Sequence, residues 1–180
     1  MQELSKLCKK QQLHMHLDGA RIFNAIVETG YTPKQIGPLF ESISFCLSKG
    51  LGTPAGSLLL GSKEFIKEAR RVRKVFGGGM RQAGYLAAAG LYALQHNVER
   101  LKEDHVRAKK LGDAIKNLAY VKDVLPVDTN IVIFTLHDAM PLDYFLQQLQ
   151  DKNIRAVAFG KQTVRFVTHL EITDEMVEQT

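Results

Sequence analysis

The sequence predicts an α/β fold built as two consecutive α/β units. Short apolar or alternating runs that read as strands are interleaved with longer runs of helical period. That rhythm pauses in one long amphipathic stretch and restarts near residue 130. The 180 residues, 45% hydrophobic and 24% charged, supply enough apolar surface for one core or two small ones. They exclude a disordered tail, a collagen-like fibre or a coiled coil as the main architecture.

The opening residues read as an amphipathic helix with Leu4, Leu7 and Cys8 on one side. In LHMHL, Leu13, Met15 and Leu17 alternate with His14 and His16, the period of two of a half-buried strand, which ends at Asp18-Gly19. Ala20 to Thr29 carries Ile22, Phe23, Ile26 and Val27 at helical spacing and stops at Gly30; Thr32-Pro33 then starts a short helix. Ser42 to Leu47 is a second strand, SKGLGTPAGS a glycine-rich turn, and Gly56 to Leu60 a third strand. Ser62 caps a basic helix with Phe65, Ile66, Ala69 and Val72 in one stripe and Lys63, Lys67, Arg70 and Lys74 in another. After Gly77-Gly78-Gly79, the run RQAGYLAAAGLYAL is a helix whose small residues predict close approach of another backbone, deep inside or at a subunit contact. A longer helix follows, with Val98, Leu101, Ala108, Leu111, Ile115 and Leu118 as its apolar positions. The second unit then reads as a strand at Asn130 to Leu136, a helix at Pro141 to Lys152, strands at Arg155 to Phe159 and Thr163 to Thr168, and a last short helix capped by Thr173. The boundary is expected near Asn97, dividing the chain into 1–97 and 98–180.

Charge is unevenly placed. The net charge is +5, and residues 63–81 hold seven basic residues against Glu64 and Glu68, so the whole excess sits on one helix and the glycine turn behind it. A local anionic partner is favoured over nucleic acid, which draws on a wider basic face. Cys8 and Cys46 are too few for a disulfide framework, and with no signal-like start they point to a reducing, cytoplasmic setting. No run of about 18 apolar residues is present, so no membrane span is expected.

Three stretches carry candidate chemistry: HLDGAR at 16–21, SKGLGTPAGS at 48–57 and GGGMRQ at 77–82. Asp18 closes one strand and Lys49 stands just past the next, and in a parallel sheet such ends line the ligand crevice. A carboxylate and an amine placed there suit a pyridoxal phosphate enzyme. Lysine is the standard side chain that forms an imine with the cofactor aldehyde, and the carboxylate keeps the pyridine nitrogen protonated. At about 4 Å and an effective dielectric of about 20 that attraction is roughly 4 kcal/mol, about three pKa units before desolvation. Each residue has a plainer reading as well: Asp18 as a helix cap, Gly50, Gly52 and Gly56 as a hairpin, the basic face as solvated surface. His14, His16, His105 and His169 show no metal-ligand spacing, so no metal is expected. Cys46 reads as a core residue of an apolar strand.

HLDGARIFNA, FCLSKGLGTPAGSLLLG, RKVFGGGMRQAGYLAAAG and VRFVTHLEIT, in that order, resemble the low-specificity L-threonine aldolases, pyridoxal phosphate enzymes of the aspartate aminotransferase structural class. The resemblance runs from about Leu13 to Thr173. It implies that 1–97 is part of a large cofactor-binding domain, a mostly parallel sheet with helices on both faces, and that 98–180 is a smaller C-terminal α/β domain. It implies retro-aldol cleavage of L-threonine or L-allo-threonine to glycine and acetaldehyde, with pyridoxal 5'-phosphate as cofactor and a small amino acid as substrate. Lys49 resembles the family's Schiff-base lysine and Asp18 the partner of the pyridine nitrogen. Arg21 resembles the residue near the cofactor and the substrate carboxylate, Ser48 a contact of the cofactor phosphate, and Arg165 the small-domain arginine on that carboxylate. Arg81, with Lys74, resembles basic residues that reach a neighbouring subunit's active site, which implies a homo-oligomer, dimer or tetramer. Family members carry a long segment before the LDGAR strand, with a phosphate loop and a histidine stacked on the cofactor, so the chain is expected to be the C-terminal half or more of such a protein. The competing readings are a non-catalytic fragment that keeps the fold, and a related pyridoxal phosphate lyase or aminotransferase.

Overall fold

Serines alternating with Ile43 and Phe45 give residues 42–46 two unlike faces, and the strand they form, β2 (Ser42–Cys46), is the middle of a three-stranded sheet. The computed structural model describes all 180 residues, in two compact units, Met1–Glu99 and Arg100–Thr180, and this sheet belongs to the first. β1 (His16–Asp18) runs parallel to β2 with Asp18 opposite Ser44, and β3 (Ser57–Gly61) runs antiparallel to it with Cys46 opposite Ser57. Ile43, Phe45 and Leu47 are buried on one face, where Phe23 of α2 (Ile22–Thr29) meets the Phe45 ring edge-on at 5.2 Å between centroids. Ser42, Ser44 and Cys46 share the other face, half-buried. Cys46 is therefore not the core residue that its apolar neighbours predict, because the period of two puts it with the serines. β1 also starts later than the alternation predicts: the Leu13 N–H bonds the Cys8 carbonyl at 2.9 Å, completing the end of α1 (Gln2–Lys10) rather than joining the sheet.

In α1 itself Leu4 and Leu7 are exposed, and the buried residue is Ser5, whose hydroxyl donates to the Leu39 carbonyl at 2.8 Å. Gly30 ends α2 at φ 73°, a conformation that costs a residue with a Cβ. Thr32 and Gln35 form the capping box of α3 (Pro33–Ile36). In α4 (Lys63–Val75), Ser62 Oγ accepts the Phe65 N–H at 3.1 Å, and no residue of the helix is buried. α5 (Gly84–His96) does not lie deep inside its unit, one of the two placements its small residues predict. Only Gly90 and Ala93 are buried, while Tyr85, Leu91 and Tyr92 are exposed. Its small residues do admit a close neighbour at one point, since a Cβ on Gly90 would stand 3.1 Å from Leu47 Cδ1, but Tyr85, Leu91 and Tyr92 are left uncovered within its unit.

The second unit comprises α6 (Leu101–Ile115), β4 (Val121–Val124), β5 (Ile131–Leu136), α7 (Leu142–Asp151), β6 (Val157–Gly160), β7 (Thr163–Val167) and α8 (Asp174–Gln179). Its four strands lie in the order β4-β5-β7-β6 and every neighbouring pair is antiparallel. Val132, Phe134 and Leu136 of β5 alternate inward with Val164 of β7 to meet Ala108, Leu111 and Ile115 of α6, all buried. α8 is tied to α6 by an Arg107 Nε–H donated to Asp174 at 2.7 Å and by the Lys110–Glu178 pair. β4 escaped the sequence reading because Lys122 and Asp123 interrupt its apolar pattern, and a register shift falls between Val121 and Asp123. No helix is long and apolar enough to cross a membrane.

Candidate active site

The chain leaves β1 through Asp18-Gly19-Ala20 and stays bonded to β2: the Gly19 N–H donates to the Ser44 carbonyl at 2.8 Å and the Cys46 N–H to the Ala20 carbonyl at 3.2 Å. Asp18 and the segment after β2 are thereby fixed at one edge of the sheet, the C-terminal ends of two parallel strands. Arg21, half-buried, is the N-cap position of α2, immediately behind Asp18. Ser48 and Lys49 follow β2 with their side chains exposed.

The backbone under Lys49 is held from several directions. Gly52 N–H donates to the Lys49 carbonyl at 2.9 Å, Thr53 N–H to Leu47 at 3.2 Å, and Leu47 N–H to Gly56 at 2.9 Å. The Thr53 hydroxyl donates to the Ala55 carbonyl at 3.1 Å. From α5, Asn97 Nδ2 reaches the Leu51 carbonyl at 2.8 Å, and Leu51 is 3% exposed, which makes it the buried anchor of the turn. A lysine whose main chain is fixed and whose amine is free suits covalent chemistry, because the nucleophile is presented without being tied up in an ion pair.

The face that carries Asp18 also carries His16, Ser42 and Ser44. His16 Nδ1 lies 2.8 Å from Ser42 Oγ and its Nε2 lies 3.4 Å from Ser44 Oγ, so both ring nitrogens face serine hydroxyls. Their alternation with Ile43 and Phe45 is the sequence signal that places the serines on the face of Asp18. At the start of the strand, Glu41 accepts the Met15 N–H at 2.5 Å, and that bond holds its carboxyl below the ordinary range.

The remaining predicted residues stand elsewhere. Arg81 and Lys74 are exposed, Arg81 in the turn before α5 and Lys74 in the last turn of α4. Arg165 belongs to the second unit, on β7 opposite Ile133 of β5 and Val157 of β6. Its strand is anchored by a buried knot that was not legible beforehand. Thr168 Oγ donates to the Asp104 carbonyl at 2.7 Å, and Asn130 Nδ2 donates to the Thr168 carbonyl at 2.8 Å. Asp104 is fully buried and is held by Arg100 at 2.6 and 3.3 Å.

The fold is shared with known structures. A threonine aldolase from Leishmania major superposes with a TM-score of 0.75 at 17% identity, covering 99% of this chain and 53% of that one. A histidinol-phosphate aminotransferase from Clostridium acetobutylicum gives 0.66 at 14% identity, covering 98% of this chain and 55% of its own. In sequence, the chain is 41% identical to the low specificity L-threonine aldolase of Escherichia coli (strain K12) over 181 residues, 99% of this chain and 52% of that protein. It is 36% identical to low-specificity L-threonine aldolase 1 of Arabidopsis thaliana over 182 residues, 99% of this chain and 51% of that protein. The chain thus spans about half the length of the curated relatives it matches. The beta-eliminating lyase family model matches residues 1–139, the stretch that holds Asp18, Arg21, Lys49 and the turn that fixes it. With a match over more than three quarters of its length, the chain belongs to the beta-eliminating lyase family.

Proposed function

We propose that this chain is the part of a threonine aldolase that supplies the covalent lysine, the ring-nitrogen carboxylate and the substrate-carboxylate arginine for cleavage of L-threonine or L-allo-threonine to glycine and acetaldehyde. The observation that carries the reading is the placement of Asp18 and Lys49 at the same ends of two paired parallel strands, in a chain 41% identical to an enzyme of that name. The donor set fits pyridoxal 5'-phosphate: an exposed primary amine for its aldehyde and a carboxylate for its pyridine nitrogen, on one sheet edge. When bound, that cofactor supplies the electron sink for the charge left at Cα as the Cα–Cβ bond breaks.

The residues of the chain do the rest. Lys49 offers its amine from a turn that hydrogen bonds and Leu51 keep in place. Asp18 holds a proton on the pyridine nitrogen, so its loss costs rate more than binding. Ser48 donates to the phosphate, and Arg21 and Arg165 take the substrate carboxylate, a planar acceptor matched by a guanidinium fork. Arg81, with Lys74, serves the active site of a neighbouring subunit, so the working form is a homo-oligomer, in the cytoplasm.

Mixing the chain with pyridoxal phosphate is expected to produce a visible absorption band that Lys49→Ala abolishes and Lys63→Ala leaves intact. L-Threonine is then expected to yield glycine and acetaldehyde. Absence of the band from the unaltered chain overturns the cofactor assignment for this chain, and keto-acid in place of glycine redirects the reading to the aminotransferases that share the fold.

A further inference from the structure

Arg165 lies against an aromatic ring. Its Cζ stands 4.9 Å from the centroid of Phe159. The backbone explains how the ring gets there. β6 and β7 pair Val157 with Arg165 and Ala158 with Val164, but the next pair is Gly160 with Thr163, so Phe159 has no partner and is the extra residue of a β-bulge. In an unbroken ladder Phe159 would be the diagonal neighbour of Arg165 on the same face, about 7–8 Å away. A bulge raises the local twist and re-aims the side chain it frees, which brings the ring over the guanidinium.

The contact has a directional effect. A guanidinium covered on its flat face keeps its N–H edge open, and that edge is what a carboxylate engages. The Nε of Arg165 is buried and has no hydrogen-bond acceptor, so a donor is held ready without a partner of its own. Arg165 also lines a cavity of about 310 Å³ together with Arg155 and His169, and none of the side chains around it is acidic. An incoming anion therefore meets two arginines and no acidic side chain. Phe159 is 53% exposed, too open for core filling to account for a bulged aromatic at this point.

We propose that Phe159 is a positioning residue that fixes the Arg165 guanidinium by stacking, so that its N–H edge is set for the carboxylate of an amino-acid substrate; the inference rests on the assignment of Arg165 to that carboxylate. The experiment uses the full chain with pyridoxal phosphate and the variants Phe159→Leu, Phe159→Tyr and Arg165→Lys. The Arg165 Nε–H resonance is followed by NMR during titration with glycine, alongside KM and kcat for L-threonine. In Phe159→Leu the resonance is expected to lose its ring-current shift, while the glycine Kd and the threonine KM rise about five- to tenfold and kcat stays within about twofold. Phe159→Tyr is expected to restore all of these. A Phe159→Leu variant that binds glycine as the unaltered chain does, or a Phe159→Tyr variant that fails to rescue, overturns the proposal and leaves Arg165 in place. If glycine does not shift the Arg165 signal in the unaltered chain, or Arg165→Lys binds glycine equally well, the carboxylate assignment itself is overturned.

Discussion

Gly112 shows how narrow the tolerances of single residues are in the second unit. A Cβ built there would lie 2.7 Å from Val127 Cγ2, far inside contact distance. Replacing a helical glycine with alanine gains about 1 kcal/mol of helix propensity, whereas overpacking a closed site costs about 1–3 kcal/mol. Overpacking wins, and Gly112→Ala is expected to lower stability by about 1 kcal/mol in urea titration, with Val127→Ala restoring it in the double variant. The same residue scale separates what the sequence discloses from what it hides. Asp18 and Lys49 are legible because one closes an alternating strand and the other opens a glycine-rich turn, and both signals are local. Asn97, which bonds Leu51 from 46 positions away, and the Thr168–Asp104 bond across 64 positions have no local signature. Phe159 is visible as an aromatic in a strand, but the bulge that turns it toward Arg165 depends on register with β7.

At the scale of elements, α8 owes much of its position to charge. The hydrogen bond from Arg107, followed by the charge of Arg107 itself, holds the Asp174 carboxyl below its ordinary value, and Arg107 is pushed up in turn. The Thr173 side chain lowers Glu175 in the same first turn. A carboxylate with a depressed folded pKa contributes stability that is complete above its unfolded value and fades as pH falls through the folded one. The α6–α8 tie is therefore expected to hold above about pH 4 and to weaken progressively below it. Protection factors of the α8 amides, measured from pH 6 down to pH 3 in the unaltered chain and in Arg107→Ala, check this, and the variant is expected to lose the part of the pH dependence that Asp174 contributes. Helices with caps and a single apolar stripe were legible in outline, α3 and α8 down to the capping threonine. α5 was not, because small residues signal that something approaches closely and leave open what it is; within its unit Leu47 approaches it at Gly90.

For the molecule as a whole, the two units differ in how well each buries its own surface. The second encloses a contiguous core from Ala108 to Val177, whereas the first buries Ile43, Phe45, Leu47, Leu51 and Ala93 and leaves α4 without a buried residue. Native-state hydrogen exchange is expected to be slowest in α6, β5 and β7 and fastest in α4, because opening costs least where few apolar contacts are broken. Equal protection of α4 and β5 would count against this division. The α/β class and the restart after the long helix were legible from periodicity, but strand direction was not. The second sheet is antiparallel throughout although its strands and helix read like the first unit's, because periodicity reports faces and not which way neighbouring chains run. β3 has one further consequence. It is an outer strand carrying Leu58, Leu59 and Leu60, all at least 40% exposed, with its free edge of peptide groups unpaired within the unit. Such an edge is a template for adding a foreign strand. The five residues next to the turn that fixes Lys49 are thus a place where copies of the purified chain can pair edge to edge at high concentration, opposed by like-charge repulsion from a net +5.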